Sequence, residues 1–130
     1  MILRLSFFVI IFAIVTIAVK SQNPLRQSDV QIREDMLEHI PLGTSMDDVI
    51  KFVGTNTKWQ IRHIYYDSGY ELLFGYNDTT NEGTEPSKKY IQVYLGHYQN
   101  IFQTGVRAFY GFDENSELTK IYIEKITDSL

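Results

Sequence analysis

Cysteine is absent from this 130-residue chain. Its absence excludes disulfides, thiolate chemistry and the attachment of a lipid through an N-terminal cysteine. A domain without such cross-links is held by packing alone, and an aromatic content of 14% can supply the buried area. The Gly-x-Ser-x-Gly, P-loop and dinucleotide-binding motifs are absent as well. No catalytic residue and no cofactor is therefore predicted.

Basic residues are few. Arg4 and Lys20 flank the N-terminal apolar segment, so residues 21–130 hold 10 Lys and Arg against 16 Asp and Glu, a net charge of −6. Phosphate binding needs a basic stripe, and this balance predicts that nucleic acid is not a partner. The 110 residues that follow Lys20 have room for one domain with one modest core.

The longest apolar run spans Leu5 to Val19 and carries no charge. We interpret residues 1–20 as a secretory signal peptide or, alternatively, an uncleaved membrane anchor. Fifteen helical residues extend roughly 22 Å, which is short of the ~30 Å hydrocarbon core. Either interpretation predicts an exported protein, secreted, periplasmic or membrane-anchored, that meets the membrane only through this segment. Residues 21–27 are then a linker and residues 28–130 a single domain.

Two helices are predicted at the start of this domain. The first runs from about Asp29 to His39 after the N-cap Ser28, and Pro41 stops it. Its apolar stripe consists of Val30, Ile32, Met36, Leu37 and Ile40. After a turn at Gly43, Thr44 or Ser45 caps a second helix that ends at Gly54. Its apolar face consists of Met46, Val49, Ile50 and Val53.

Beyond Lys58 the apolar period changes from helical to alternating, which is typical of strands. Strands are predicted at 59–66, 70–76, 89–95, 106–112 and 118–126, and residues 96–104 are a loop or a bent strand extension. The first strand places Trp59, Ile61, His63 and Tyr65 on one face. The turn at 67–69 makes residues 70–76 its hairpin partner.

This order predicts an α+β fold in which two short helices pack on one face of a four- to five-stranded antiparallel sheet. Aliphatic Ile91, Val93, Leu95, Ile121 and Ile123 suit the helix-covered face. The opposite face would be open and rich in tyrosine, a residue enriched in recognition surfaces. We therefore predict a binding face formed by Tyr90, Tyr94, Arg107, Phe109 and Tyr122. The alternative is ordinary packing, because strands favour tyrosine in any case.

The segment from Ile40 to Gly54, IPLGTSMDDVIKFVG, carries glycines at both ends of a short capped helix. The spacing from Gly43 to Val49 and Gly54 resembles the signature of SmpA/OmlA-type outer-membrane assembly lipoproteins. Their domains share the fold of β-lactamase-inhibitor protein and also place two helices before a sheet. The resemblance implies a fold whose members act by binding other proteins. The chain departs from the family in lacking the lipobox cysteine and in having Thr55 after the second glycine.

No metal site is predicted. His39, His63 and His97 lie far apart in the sequence, without the close spacing that brings two ligands together on one helix. Asp113, Asn115, Glu117 and Glu124 fit positions of a calcium loop, but Leu118 stands where that loop requires glycine. The segment is better interpreted as a hairpin.

Two classes of function stay open. The first is a non-enzymatic module that binds another protein, of the inhibitor, immunity or envelope-assembly type. The second is a small ligand carrier or enzyme with a tyrosine-lined pocket that uses His63 or Arg107. We favour the binding module because no pair of nucleophile and base can be named. A shallow open face would favour the first class, and a deep cleft the second.

Overall fold

The computed structural model describes residues 23–75, 85–99 and 101–128. Its elements are a 3₁₀ turn (Pro24–Arg26), helices α1 (Asp29–His39) and α2 (Met46–Gly54), strand β1 (Gln60–Tyr65), a 3₁₀ helix that we call the strap (Tyr70–Phe74), and strands β2 (Lys89–Gln99), β3 (Gln103–Phe112) and β4 (Leu118–Thr127). The predicted leader lies outside the described residues. Across the three described ranges, the helices are too short or too polar to cross a membrane.

Both helices begin at the predicted serine caps. The Ser28 hydroxyl accepts a hydrogen bond from the Gln31 amide at 3.2 Å, and the Ser45 hydroxyl accepts one from the Asp48 amide at 3.1 Å. Each cap satisfies one of the amides that the first helical turn leaves without a partner. Gly43, between the helices, has a φ of +93°, a conformation that favours glycine.

The sheet has the order β1-β2-β3-β4, and every neighbouring pair is antiparallel. The predicted α+β class is confirmed, with four strands in the described part of the chain. Residues 96–99 and 103–104, left open between loop and strand, continue the β2–β3 hairpin past a bulge at Gly96. Gly96 has a φ of +125°, which again favours glycine.

The main core lies between the helices and one face of the sheet. The five aliphatic residues predicted for this face are buried there with Ile32, Met36, Met46, Val49 and Val53 of the helices. Burial raises the pKa of Tyr110, whose hydroxyl donates to Met36 Sδ at 3.4 Å within this core. We call this face of the sheet the core face and the opposite one the second face.

The outer edge of β4 is covered at one end by the loop between the helices. The Gly43 amide donates to the Leu118 carbonyl at 2.8 Å, and the Leu118 amide donates to the Thr44 carbonyl at 2.8 Å. Ser45 continues this pairing as a bridge to Glu117. The left-handed turn at Gly43 therefore both starts α2 and protects a sheet edge.

Strand β1 differs from its prediction by a bulge. Ile61 is opposite Val93, but His63 is opposite Gln92, so one extra residue, Arg62, is inserted. Since side chains alternate along a strand, the insertion turns Ile61 to the core face and His63 to the second face. The prediction that Ile61 and His63 share a face was wrong.

The predicted strand at 70–76 was also wrong. Residues 70–74 form the 3₁₀ strap, which Gly75 ends with a φ of +70°. Tyr70 and Phe74, at the two ends of the strap, pack on the sheet, while Leu72 and Leu73 between them are exposed. Tyr76, the last residue of that prediction, lies outside the described residues.

Two further segments are held in place, one by contacts with the domain and the other by its own hydrogen bonds. Within the predicted linker, Leu25 packs against the core and Arg26 Nη2 donates to the Gln99 carbonyl at 2.8 Å. In the β3–β4 turn, the Asp113 carboxylate accepts from the amides of Asn115 and Glu117, at 2.9 and 3.0 Å. Its Oδ1 is thereby committed to the hairpin, as the interpretation of this segment as a hairpin requires.

Candidate functional site

The strap covers one half of the second face. Tyr70 stacks on Tyr122 with a centroid distance of 6.0 Å and an interplanar angle of 6°. Phe74 meets Phe109 and Tyr122 edge-on, at 5.5 and 5.2 Å. Tyr70, Tyr90 and Phe109 are consequently at most 3% exposed. The prediction that this face is open throughout was wrong, because the segment taken as a strand folds over it.

A buried ion pair fastens the strap to the sheet. Glu71 Oε1 lies 2.8 Å from Lys120 Nζ, and each side chain is only 7% exposed. The Ser87 amide and hydroxyl donate to the two Glu71 oxygens at 3.0 and 2.7 Å, and Lys120 Nζ also donates to the Glu85 carbonyl at 2.7 Å. Burial alone raises the pKa of Glu71, but the hydrogen bonds from Lys120 and Ser87 outweigh it, so the pKa is lowered.

Two glycines make room for this arrangement. A Cβ atom at Gly69 would lie 2.0 Å from the Ser87 carbonyl oxygen. One at Gly111 would lie 2.9 Å from Ser87 Cβ and 3.0 Å from Tyr70 Cε1. The strap and the segment at Ser87 therefore approach the sheet at distances that only glycine permits.

The other half of the second face carries aromatic and basic side chains. We call Arg62, His63, Tyr94, His97 and Arg107 the open patch. The Arg62 guanidinium lies 5.1 Å from the Tyr94 ring centroid, and the Tyr94 hydroxyl is 2.9 Å from His97 Nδ1. Arg107 lies opposite Tyr94 on the neighbouring strand. Arg62, His63 and His97 are exposed, and Tyr94 and Arg107 are half-buried.

The open patch has more positive than negative groups. A carboxylate that adjoins it, Glu124, accepts a hydrogen bond from Arg107 Nη2 at 2.8 Å. Within the described structure, Arg107 Nε and Glu124 Oε2 are buried atoms without a hydrogen-bond partner. These two atoms would complete a bidentate arginine–carboxylate pair if the two side chains closed on each other.

The five predicted binding residues are divided between the two halves. Tyr90 and Phe109 are buried under the strap, where burial, together with the electrostatic effect of Tyr65, raises the pKa of Tyr90. Tyr122 is half-buried in the same cluster, whereas Tyr94 and Arg107 belong to the open patch. Their role in binding stays a prediction.

Sequence reasoning missed Arg62 and His97 as neighbours of Tyr94. Arg62 reaches the Tyr94 ring through the bulge, and His97 reaches its hydroxyl three residues further along β2. The bulge has no glycine or proline to mark it in the sequence. Only the basic residues at 58, 62 and 63, in a stretch without acidic residues from 49 to 66, could have drawn attention to this edge.

Strand β1 lies at the free edge of the sheet beside the open patch. Within the described ranges β1 pairs only with β2, and five of its six side chains are exposed. Ile64, Tyr65 and the following Tyr66 are 37, 42 and 59% exposed. An edge strand with exposed apolar side chains is a surface on which another polypeptide can pack.

The histidines have different neighbours. His39 Nδ1 lies 2.9 Å from the Asp35 backbone oxygen, and the His63 ring lies 5.7 Å from Tyr65. His97 bonds to the Tyr94 hydroxyl. Over residues 23–75, 85–99 and 101–128, no three His, Asp or Glu side chains are grouped to hold a metal ion.

A cleft of about 690 Å³ lies on the side of the sheet that carries the helices. It is formed by the 3₁₀ turn at 24–26, α1, the end of α2 and the start of β1. Its apolar lining comprises Leu25, Ile32, Met36, Phe52, Trp59 and Leu95. His63 and Arg107, proposed for the alternative function, line the open patch instead of this cleft.

The chain matches no protein-family model, no curated protein and no solved structure. The resemblance to the SmpA/OmlA-type lipoproteins and to the fold of β-lactamase-inhibitor protein therefore stays a prediction. What the domain does has to be argued from its surfaces.

Proposed function

We propose that this chain is a non-enzymatic, exported or membrane-anchored module that binds an acidic segment of another protein. The contact surface is the open patch together with the free edge of β1. The exported location rests on the apolar segment from Leu5 to Val19. Inhibitor, immunity and envelope-assembly roles are all compatible with such a surface.

The observation that carries this proposal is a basic, aromatic patch on an acidic chain. Residues 21–130 have a net charge of −6, yet Arg62, Arg107 and His97 lie around Tyr94, and His63 lies next to Arg62 on β1. A positive region on a protein of opposite net charge steers partners that carry negative charge locally. Arginine and tyrosine are also the residue types that dominate the energy of protein interfaces.

The cation–π contact prepares the surface for binding. Arg62 already lies over the Tyr94 ring, whose hydroxyl is fixed by His97. A partner carboxylate that binds the guanidinium would meet a side chain that already rests against an aromatic ring. The exposed edge at Ile64, Tyr65 and Tyr66 adds apolar area next to these charges.

Affinity capture tests the proposal. Residues 21–130 serve as bait against the envelope and secreted fractions of the producing cells, with Arg62→Glu as the test variant. Lys51→Glu is the matched control, because Lys51 is exposed on α2 and its reversal changes the net charge equally. We expect one acidic protein to be retained by the wild type and by Lys51→Glu, and lost with Arg62→Glu or at high salt. Equal recovery by both variants, or no specific recovery, would contradict the proposal.

A further inference from the structure

The cleft has an aromatic and aliphatic interior. The rings of Phe52 and Trp59 pack edge-on with centroids 5.8 Å apart, and the His39 ring packs on Phe52 at 5.9 Å. Phe52 and Trp59 are half-buried, so part of each ring faces the cleft. A volume of about 690 Å³ falls within the range of small-ligand pockets, which are mostly apolar with a few polar groups.

The acidic side chain at the cleft, Asp35, accepts hydrogen bonds from two glutamine amides. Asp35 Oδ1 accepts from Gln31 Nε2 at 2.8 Å. With the Gln27 amide turned to meet its acceptors, Gln27 Nε2 donates to Asp35 Oδ2 at 3.2 Å and to the Pro24 carbonyl at 3.1 Å. Asp35 thus fixes the 3₁₀ turn onto α1, with one amide hydrogen bond to each of its carboxylate oxygens.

The basic side chain at the cleft is available. Lys58 lines the cleft, and in the described part of the chain its ammonium has no ion pair. The Lys58 backbone amide donates to Asn56 Oδ1 at 3.0 Å, which orders the loop that carries the side chain. The cleft therefore offers an apolar floor with the Lys58 ammonium at its rim, while the Asp35 carboxylate is held by the amides of Gln31 and Gln27.

We propose that this cleft binds a small amphiphile with an apolar body and a carboxylate, of the fatty-acid class. The body packs against Phe52 and Trp59, and the carboxylate pairs with Lys58. Each methylene that leaves water tightens binding about fourfold, so the apolar body supplies most of the affinity. The carboxylate selects among ligands of equal length. This site is separate from the open patch.

Trp59 gives a direct readout, because it is the one tryptophan of the chain and it lines the cleft. Its emission is followed in residues 21–130, the linker and the domain together, during titration with decanoate, decanol and decylamine below their micellar concentrations. Calorimetry with the same three ligands serves as a second measurement. Lys58→Gln is the test variant, and Lys88→Gln is a control at another exposed lysine.

We expect decanoate to shift the emission saturably with one site and to bind more tightly than decanol or decylamine. Lys58→Gln should weaken decanoate about two- to fivefold, the scale of an exposed ion pair, and leave decanol unchanged. Lys88→Gln should bind like the wild type.

Four results would overturn the assignment. The first is that neither method detects saturable binding, and the second is that decylamine binds as tightly as decanoate. The third is that wild type and Lys58→Gln bind decanoate equally. The fourth is that an apolar tripeptide with a free carboxylate binds more tightly than decanoate. None of them bears on capture by Arg62, since the two sites share no residue.

Discussion

Glu71 and Lys120 bring opposite charges into a part of the second face that is otherwise aromatic. Taking either ion out of water is costly, and the 2.8 Å contact and the donors of Ser87 offset that cost only while both partners are present. The pair therefore acts as a fastening for the strap more than as a source of net stability. It also gives the strap a defined position, because the carboxylate can reach Lys120 and Ser87 together only from one register.

Replacing Glu71 with Gln should lower the free energy of unfolding by about 3 kcal/mol, because it removes the carboxylate charge that lies 2.8 Å from the buried Lys120 ammonium. The matched double variant Glu71→Leu/Lys120→Met should recover most of this loss. Urea unfolding of the three proteins measures both effects. A single variant as stable as the wild type would show that the pair does not fasten the strap.

The same pair predicts a pH dependence with a definite sign. Because the pKa of Glu71 is lowered from its ordinary value of 4.5, its contribution is complete above that value and is lost as the pH falls through the lower folded-state pKa. The difference in unfolding free energy between wild type and Glu71→Gln should therefore shrink as the pH falls below 4.5. A difference that stays constant or grows in acid would contradict this explanation.

Gly69→Ala should destabilise the fold strongly, since its Cβ would lie 2.0 Å from the Ser87 carbonyl oxygen. We expect a loss of at least about 2 kcal/mol, typical of a forced shift in a packed region. Gly54→Ala is the matched control. It ends α2 with no atom within 4 Å of the new Cβ and should be neutral or slightly stabilising. Thermal melting distinguishes the two, and a neutral Gly69→Ala would mean that the strap can move away from Ser87.

Among the elements, the helices and the long strands could be predicted from sequence because their signals are local. The serine caps, the helical spacing of apolar residues and the turn at Gly43 define α1 and α2. Alternation predicted β2, β3 and β4, and the structure extends β2 and β3 toward each other. These elements need no distant contact to be recognised.

The strap could not be predicted because its conformation depends on partners far away in the sequence. The segment YELLF has the composition of a strand, but Tyr70 and Phe74 pack on Phe109 and Tyr122. Glu71 pairs with Lys120 on β4, almost fifty residues later in the chain. Tertiary contacts of this kind override local β propensity. The bulge at Arg62 could not be predicted for the same reason, so the sequence assigned Ile61 and His63 to the wrong faces relative to each other.

Because the strap covers Tyr122 but not Tyr94, replacing these two tyrosines should change the free energy of unfolding by different amounts. Tyr122→Ala should cost about 3 kcal/mol, because its ring packs against both Tyr70 and Phe74. Tyr94→Ala should cost about 1 kcal/mol, since it loses one cation–π contact and one hydrogen bond at a half-exposed site. Chemical denaturation measures both. Equal losses would contradict the division of the second face into a covered and an open half.

For the whole molecule, the charge distribution connects the fold to the proposed function. The sequence predicted an acidic domain with an aromatic face, and it correctly placed Tyr94 and Arg107 on the same face of the sheet. It could not show that Tyr90 and Phe109 are covered, or that Arg62 and His97 complete a basic patch around Tyr94. The covering of Tyr90 and Phe109 depends on the strap, and the position of Arg62 beside Tyr94 depends on the bulge, and both bring together residues that are distant in the sequence.

Site-specific photocrosslinking in the producing cells tests most directly whether the open patch is the binding surface. A benzophenone side chain replaces Tyr94 in one variant and the exposed Glu114 of the β3–β4 turn in the other. We predict a single crosslinked protein from position 94, joined through an acidic segment and lost with added Arg62→Glu, and none from position 114. Crosslinks only from position 114, or equal crosslinking from both positions, would contradict a partner bound at the open patch.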